Sequence, residues 1–140
     1  MYLRCIAFIL QTKQLEVAYM TKVQDYTGAY LEQSLEQLLE EIVVSIKGLY
    51  KDCRIILFGS FARGEQTKDS DLDICVLVPE LTDRRLEMVV DVKIAIKHIK
   101  RMLSSGIDVL VFTQSEWENE HKDRTTLLHT IYQEGVVLAG

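Results

Sequence analysis

Residues 57–78 read "LFGSFARGEQTKDSDLDICVLV". An apolar run closes on the step Gly59-Ser60, and ten residues later Asp71-x-Asp73 opens a second apolar run. Gly, Ser and Asp are what any turn between strands prefers, so the composition of this segment alone fits a solvated turn as well as a site. The neighbouring chain separates the two readings. Cys53–Phe58 is a short β-rich run ended by Gly59, and Leu72–Val78 is another, closed by Pro79. Side chains alternate along a strand, so Asp71 and Asp73 share one face, two residue rises apart.

Outward from this segment the elements follow from periodicity. From Ala29 to Lys47, Leu31, Leu35, Leu38, Leu39, Ile42, Val43 and Ile46 recur at helical spacing opposite Glu32, Glu36, Glu40 and Glu41, with Gly48 as the stop. Residues 81–103 form a second long helix, capped by Thr82 and followed by Gly106. Ile107–Phe112 is a third strand with Asp108 at its head; Ser115 caps a short helix through Trp117, and Leu127–Gln133 is another, ended by Gly135. Val136–Leu138 is too short to assign. A strand, a long helix and another strand make parallel pairing possible, and the loop between the first two strands is long enough to be functional. The expected fold is α/β (α+β): a small mixed sheet backed by helices.

Two carboxylates about 4 Å apart repel by about 4 kcal/mol at an effective dielectric near 20, a large cost beside a domain's marginal stability unless a cation lies between them. Hard oxygen donors select Mg²⁺ or Mn²⁺ over zinc, and Asp108 reaches the same spot if its strand lies beside that of Asp73; three carboxylates can bracket two metals. At Gly59 the missing Cβ lets backbone N–H groups approach an anion, Ser60 adds a hydroxyl, and Arg63 and Lys68 stand in the connecting loop to screen phosphate charge. An anion cradle beside a two-metal carboxylate site is what transfer from a nucleoside triphosphate requires.

These residues also match a known pattern. "GSFARGEQTKDSDLD" resembles the Gly-Ser, ten residues, Asp-x-Asp signature of the DNA polymerase β-like nucleotidyltransferase superfamily, and "FARG", "SDLDICVLV" and "LLHTIYQEGVVLAG" are similar to its minimal prokaryotic members. The likeness covers residues 31–140 approximately. It implies a nucleotidyltransferase core over residues 29–140 behind an N-terminal extension of residues 1–28. It also implies metal ligation by Asp71, Asp73 and a third carboxylate carried to Asp108, with Gly59, Ser60 and Arg63 on the nucleotide. The implied reaction moves AMP from ATP, with two Mg²⁺ ions, to a hydroxyl acceptor. The implied partner, and acceptor, is a helical HEPN-type toxin for which such proteins are antitoxins. The alternative is a non-catalytic nucleotide- or toxin-binding module of the same fold. A phospho-accepting receiver domain fits poorly, because its aspartate would close a strand whereas these open theirs.

Composition bounds the rest. A chain of 140 residues, 48% apolar with one proline, suits one globular domain. A net charge of -5 without a basic stripe argues against broad nucleic-acid binding. Cys5, Cys53 and Cys75 are odd in number and lie in apolar runs, the pattern of reduced, buried thiols in a cytoplasmic protein. His98, His121 and His129 are too scattered for a zinc site and read as packing or surface residues. No apolar run is long enough to span a membrane, and the opening "MYLRCIAFIL" gives way to "QTKQ" without a cleavage site, so it reads as extra N-terminal structure. Trp117, Leu127, Leu128, Ile131 and Tyr132 exceed what two short helices need for one inward face, and are expected to include an interface.

Overall fold

The computed structural model describes residues 20–24, 30–103 and 105–140; the expectations for residues 1–19, Cys5 among them, lie outside the described residues. Strand β1 (Met20–Gln24) pairs antiparallel with β2 (Tyr30–Ser34), Met20 opposite Ser34 and Gln24 opposite Tyr30. This hairpin corrects the expected helix start at Ala29, because helix α1 spans Leu35–Leu49. Leu31 falls at helical spacing, but the backbone of residues 30–34 is committed to a ladder with β1, a non-local pairing that local periodicity does not reveal. From Leu35 onward the reading holds, with Leu35, Leu38, Leu39, Ile42, Val43 and Ile46 all buried.

The remaining strands are β3 (Arg54–Phe58), β4 (Leu72–Val78), β5 (Ile107–Thr113) and β6 (Val136–Ala139). They form one mixed sheet in the order β5-β4-β3-β6. β3 runs antiparallel to both β4 and β6, whereas β4 and β5 are parallel and in register from Leu72↔Ile107 to Val78↔Thr113. Gly59–Arg63, between β3 and β4, is helix α2, closed by Gly64 in the left-handed conformation (φ 69°).

The expected helix over 81–103 is two helices, α3 (Arg85–Ala95) and α4 (Lys97–Lys100), divided at Ile96 (φ -101°, ψ 10°). Thr82 does not cap it. Residues 79–84 are exposed and have no apolar side chain in the core, so nothing holds them in the helix, and Arg84 precedes α3 without a side-chain cap. α5 (Gln114–Glu120) is capped by Thr113 and not Ser115: Glu116 N–H donates to the Thr113 hydroxyl and Thr113 N–H donates to the Glu116 carboxylate, a reciprocal box. α6 (Leu127–Glu134) begins behind Thr126 and stops at Gly135 as expected.

Both sheet faces are covered, which is why β4 is apolar at nearly every position. Leu72, Ile74, Val76 and Val78 pack with α1, α3 and α4, whereas Cys75 and Leu77 pack with Ile56, Phe58 and, from α5 and α6, Trp117, Leu128 and Ile131. Trp117, Leu128 and Ile131 are thus core, a correction to the expected interface; Leu127 and Tyr132 alone of the five are exposed. Exposed apolar side chains also run along α3 at Leu86, Val90 and Ile94. Burial pushes the Cys75 thiol up to about 12, so it is a packed apolar group at neutral pH. His121 and His129 bond the backbone carbonyls of Trp117 and His121, and His121 stacks on Trp117, in keeping with packing roles. Among the described residues no helix is long and apolar enough to cross a membrane.

Candidate active site

Topology brings the segment's two halves together. Because β3 and β4 are antiparallel, the end of β3 lies beside the start of β4, with Phe58 opposite Asp73. Because β4 and β5 are parallel, β5 also starts there, with Asp108 opposite Asp73. The two-residue period that points Leu72 and Ile74 at α1 and α3 turns Asp73 to the other face, the one covered by α5 and α6. Asp71 stands just before β4, where its Oδ1 accepts the Gly106 N–H at 2.8 Å. Gly106 in turn accepts the Leu72 N–H through its carbonyl at 3.0 Å, so the entries to β4 and β5 are tied.

Gly59 lies against Asp73. Its φ is +73°, and a Cβ placed on it would come within 2.1 Å of the Asp73 Oδ2. Both facts require glycine: the left-handed backbone disfavours any side chain, and the aspartate occupies the space it would fill. Ser60, half-buried, follows in α2, and Arg63 is the last residue of that helix. A short helical turn thus follows the Gly-Ser step, and Arg63 closes it instead of standing in the loop. Lys68 is exposed in the loop that leads back to Asp71.

Partial burial, followed by the nearby Asp108, Asp71 and Glu134, pushes the Asp73 carboxyl above the usual aspartate value, with Arg63 acting in the opposite direction. Negative charge is thus concentrated where the two parallel strands begin. Asp71, Asp73 and Asp108, expected to act together, are neighbours at one sheet end, with Gly59 and Ser60 beside them.

Glu134, at the end of α6, is the site residue the sequence reading missed. Its Oε1 accepts the Gly59 N–H at 2.9 Å and its Oε2 accepts from the Arg63 guanidinium at 2.8 Å. Gly59 N–H, one of the donors expected to face an anion, is therefore engaged by a carboxylate. A signal for Glu134 does exist in the sequence: a carboxylate in the last turn of a helix opposes the helix dipole, an arrangement that calls for a compensating partner.

Three carboxylates from two adjacent strand starts make an all-oxygen donor set suited to Mg²⁺, and their mutual repulsion at Asp73 is what a cation would relieve. In donor chemistry the set fits. As the side chains stand, no three His, Cys, Asp or Glu residues among those described are gathered closely enough to hold an ion, Asp71 being turned toward Gly106.

Comparison with known proteins identifies the family. Residues 37–133, more than half the chain, match the nucleotidyltransferase domain family. A Methanocaldococcus jannaschii protein named "putative protein adenylyltransferase" is 30% identical over 105 residues, covering 74% of this chain and 96% of its own length. A second protein of that organism with the same description is 32% identical over 54% of this chain and 73% of its own. A solved structure described as a toxin-antitoxin with AMP-PNP is 24% identical, with a TM-score of 0.49, over 73% of this chain and 73% of that one. With its Gly-Ser turn and paired aspartates at one end of a mixed sheet, and the family match running through both, this chain belongs to the nucleotidyltransferase domain family and is an enzyme of that class.

Proposed function

We propose that the protein transfers AMP from ATP to a hydroxyl on a partner protein, in a reaction that depends on Mg²⁺. The observation that carries this reading is the register of β4 and β5, which sets Asp108 beside Asp73 with Asp71 two residues away. In this reading Asp71, Asp73 and Asp108 hold two Mg²⁺ ions, while Ser60 and Arg63 hold the triphosphate and Gly59 keeps the turn close to Asp73. When bound, the ions polarise the attacked phosphate and offset the charge of the departing oxygens. The acceptor oxygen would bond to the α-phosphorus as its proton passes to solvent, and the α–β phosphoanhydride would break to release pyrophosphate. The chain's part is to orient the phosphates and keep its carboxylates ionised.

A protein acceptor is supported by the names of the curated relatives, one of which is matched over nearly its whole length. We further propose that the partner is a helical HEPN-type toxin and that this chain acts as its antitoxin, as the sequence resemblance implies. One observation favours a second reading: with Asp71 bonded to Gly106, the carboxylates do not gather as three ligands, which suits a non-catalytic nucleotide- or toxin-binding module. Mass spectrometry of the co-expressed partner separates the two. Adenylyl transfer adds an AMP mass to the partner that is missing with Asp73→Asn; a complex without any adduct supports the binding module, and efficient labelling of a small molecule or RNA end instead of protein overturns the acceptor class.

A further inference from the structure

We infer that Glu134 is a positioning residue for the nucleotide: its one carboxylate grips helix α2 at both ends, through the Gly59 N–H and the Arg63 guanidinium, and so fixes where Ser60 and Arg63 meet the triphosphate. The inference rests on the nucleotide-site reading above. α2 is five residues long, too short to hold its own geometry, since the first helical turn fixes several residues for a single hydrogen bond. Its preceding residue, Phe58, supplies no side-chain cap. Gly59 N–H is one of the N-terminal donors that the helix itself leaves unpaired, and it is satisfied from 75 residues away at 2.9 Å.

The second oxygen of the same carboxylate takes the Arg63 guanidinium at 2.8 Å. The Glu134 side chain is 17% exposed against 42% for Arg63, so the anchor is the better-fixed partner and the arginine the adjustable one. Arg63 also bonds Glu65 at 3.0 Å, which leaves it aimed from two sides. Gly59 has no room to slip, because Asp73 Oδ2 lies where its Cβ would be. A small rotation of α2 would therefore move the Ser60 hydroxyl and Arg63 together, relative to Asp73. Glu134 lies one residue beyond the family match, in the helix end that packs on α2.

The test uses the full chain with Glu134→Ala and the isosteric Glu134→Gln, read by calorimetric titration with Mg-ATP, by separate kcat and KM values, and by amide exchange at Gly59. Positioning predicts about tenfold weaker ATP binding for Glu134→Ala, carried mainly by KM. It also predicts partial rescue by Glu134→Gln, whose amide oxygen still accepts from Gly59, and faster Gly59 exchange in the alanine variant. Unchanged ATP binding together with faster exchange would reduce Glu134 to a structural brace and overturn the inference. Tighter ATP binding would overturn it differently, making the carboxylate a competitor for the phosphate's place. If the wild-type chain binds no Mg-ATP, the nucleotide-site reading fails on that result alone, while Gly59 exchange still decides whether Glu134 holds α2.

Discussion

At Asp73 a carboxylate is asked to stay charged while half-buried among three others, and the sign of that strain can be measured. Its proton affinity is raised in the folded chain, so the native state binds the proton more tightly than the unfolded one. The ionised form therefore costs stability at neutral pH, and that cost disappears as pH falls through the folded value and below the unfolded one, about 3.9. Asp73→Asn should melt higher than wild type at pH 7 in metal-free buffer, with the gap closing on acidification. Added Mg²⁺ should raise the wild-type melting temperature more than that of the variant. Differential scanning fluorimetry across pH, with and without Mg²⁺, checks both signs. Gly59→Ala tests the neighbouring residue: the left-handed backbone alone costs about 1–2 kcal/mol, and the contact with Asp73 Oδ2 adds to it. Denaturant unfolding should show at least that loss, together with loss of transfer. Asp73 was legible from sequence because a period of two fixes its face, whereas Asp71 stands just before β4 and turns toward Gly106, against the expected shared face; the last-turn position of Glu134 calls for a partner, but which partner was not legible because both lie 71 and 75 residues away.

At the scale of elements, the chain was readable where local signals and tertiary contacts agree. The apolar stripe of α1, Pro79 after β4 and Gly135 after α6 all mark what the structure contains. It was misread where pairing or solvation decides. Residues 30–34 carry part of the α1 periodicity yet pair with β1, and residues 81–84 sit at the start of an apparent helix yet contribute nothing to the core. Val136–Leu138 is too short a pattern to assign from sequence, although as part of β6 its ladder with β3 completes the sheet. The cap of α5 gives a control far from the aspartates. Thr113→Ala removes the hydroxyl that accepts the Glu116 N–H at 3.1 Å, while the backbone N–H of residue 113 still donates to the Glu116 carboxylate, which also holds Arg85 at 2.6 Å; the loss should cost about 1 kcal/mol of stability in chemical denaturation. Nucleotidyl transfer should be retained, because α5 supplies packing to the sheet face and no candidate ligand.

For the whole molecule, the antiparallel β3–β4 pair and the parallel β4–β5 pair set the Gly-Ser turn and three carboxylates at one sheet end, before any side chain is considered. That convergence explains why one 22-residue segment reads as the centre of the chain, and why Asp108, distant in sequence, joins it. The strand order was only partly foreseeable: a long crossover permits parallel pairing but does not dictate which edge the last strand takes. The most direct test of the account is transfer itself. Purified protein incubated with Mg²⁺ and α-labelled ATP in a native lysate should place the label on a protein, and Asp71→Asn and Asp73→Asn should each lower that labelling by more than about a hundredfold while remaining folded. Labelling by either variant at the wild-type rate would contradict the assignment of these aspartates to nucleotidyl transfer.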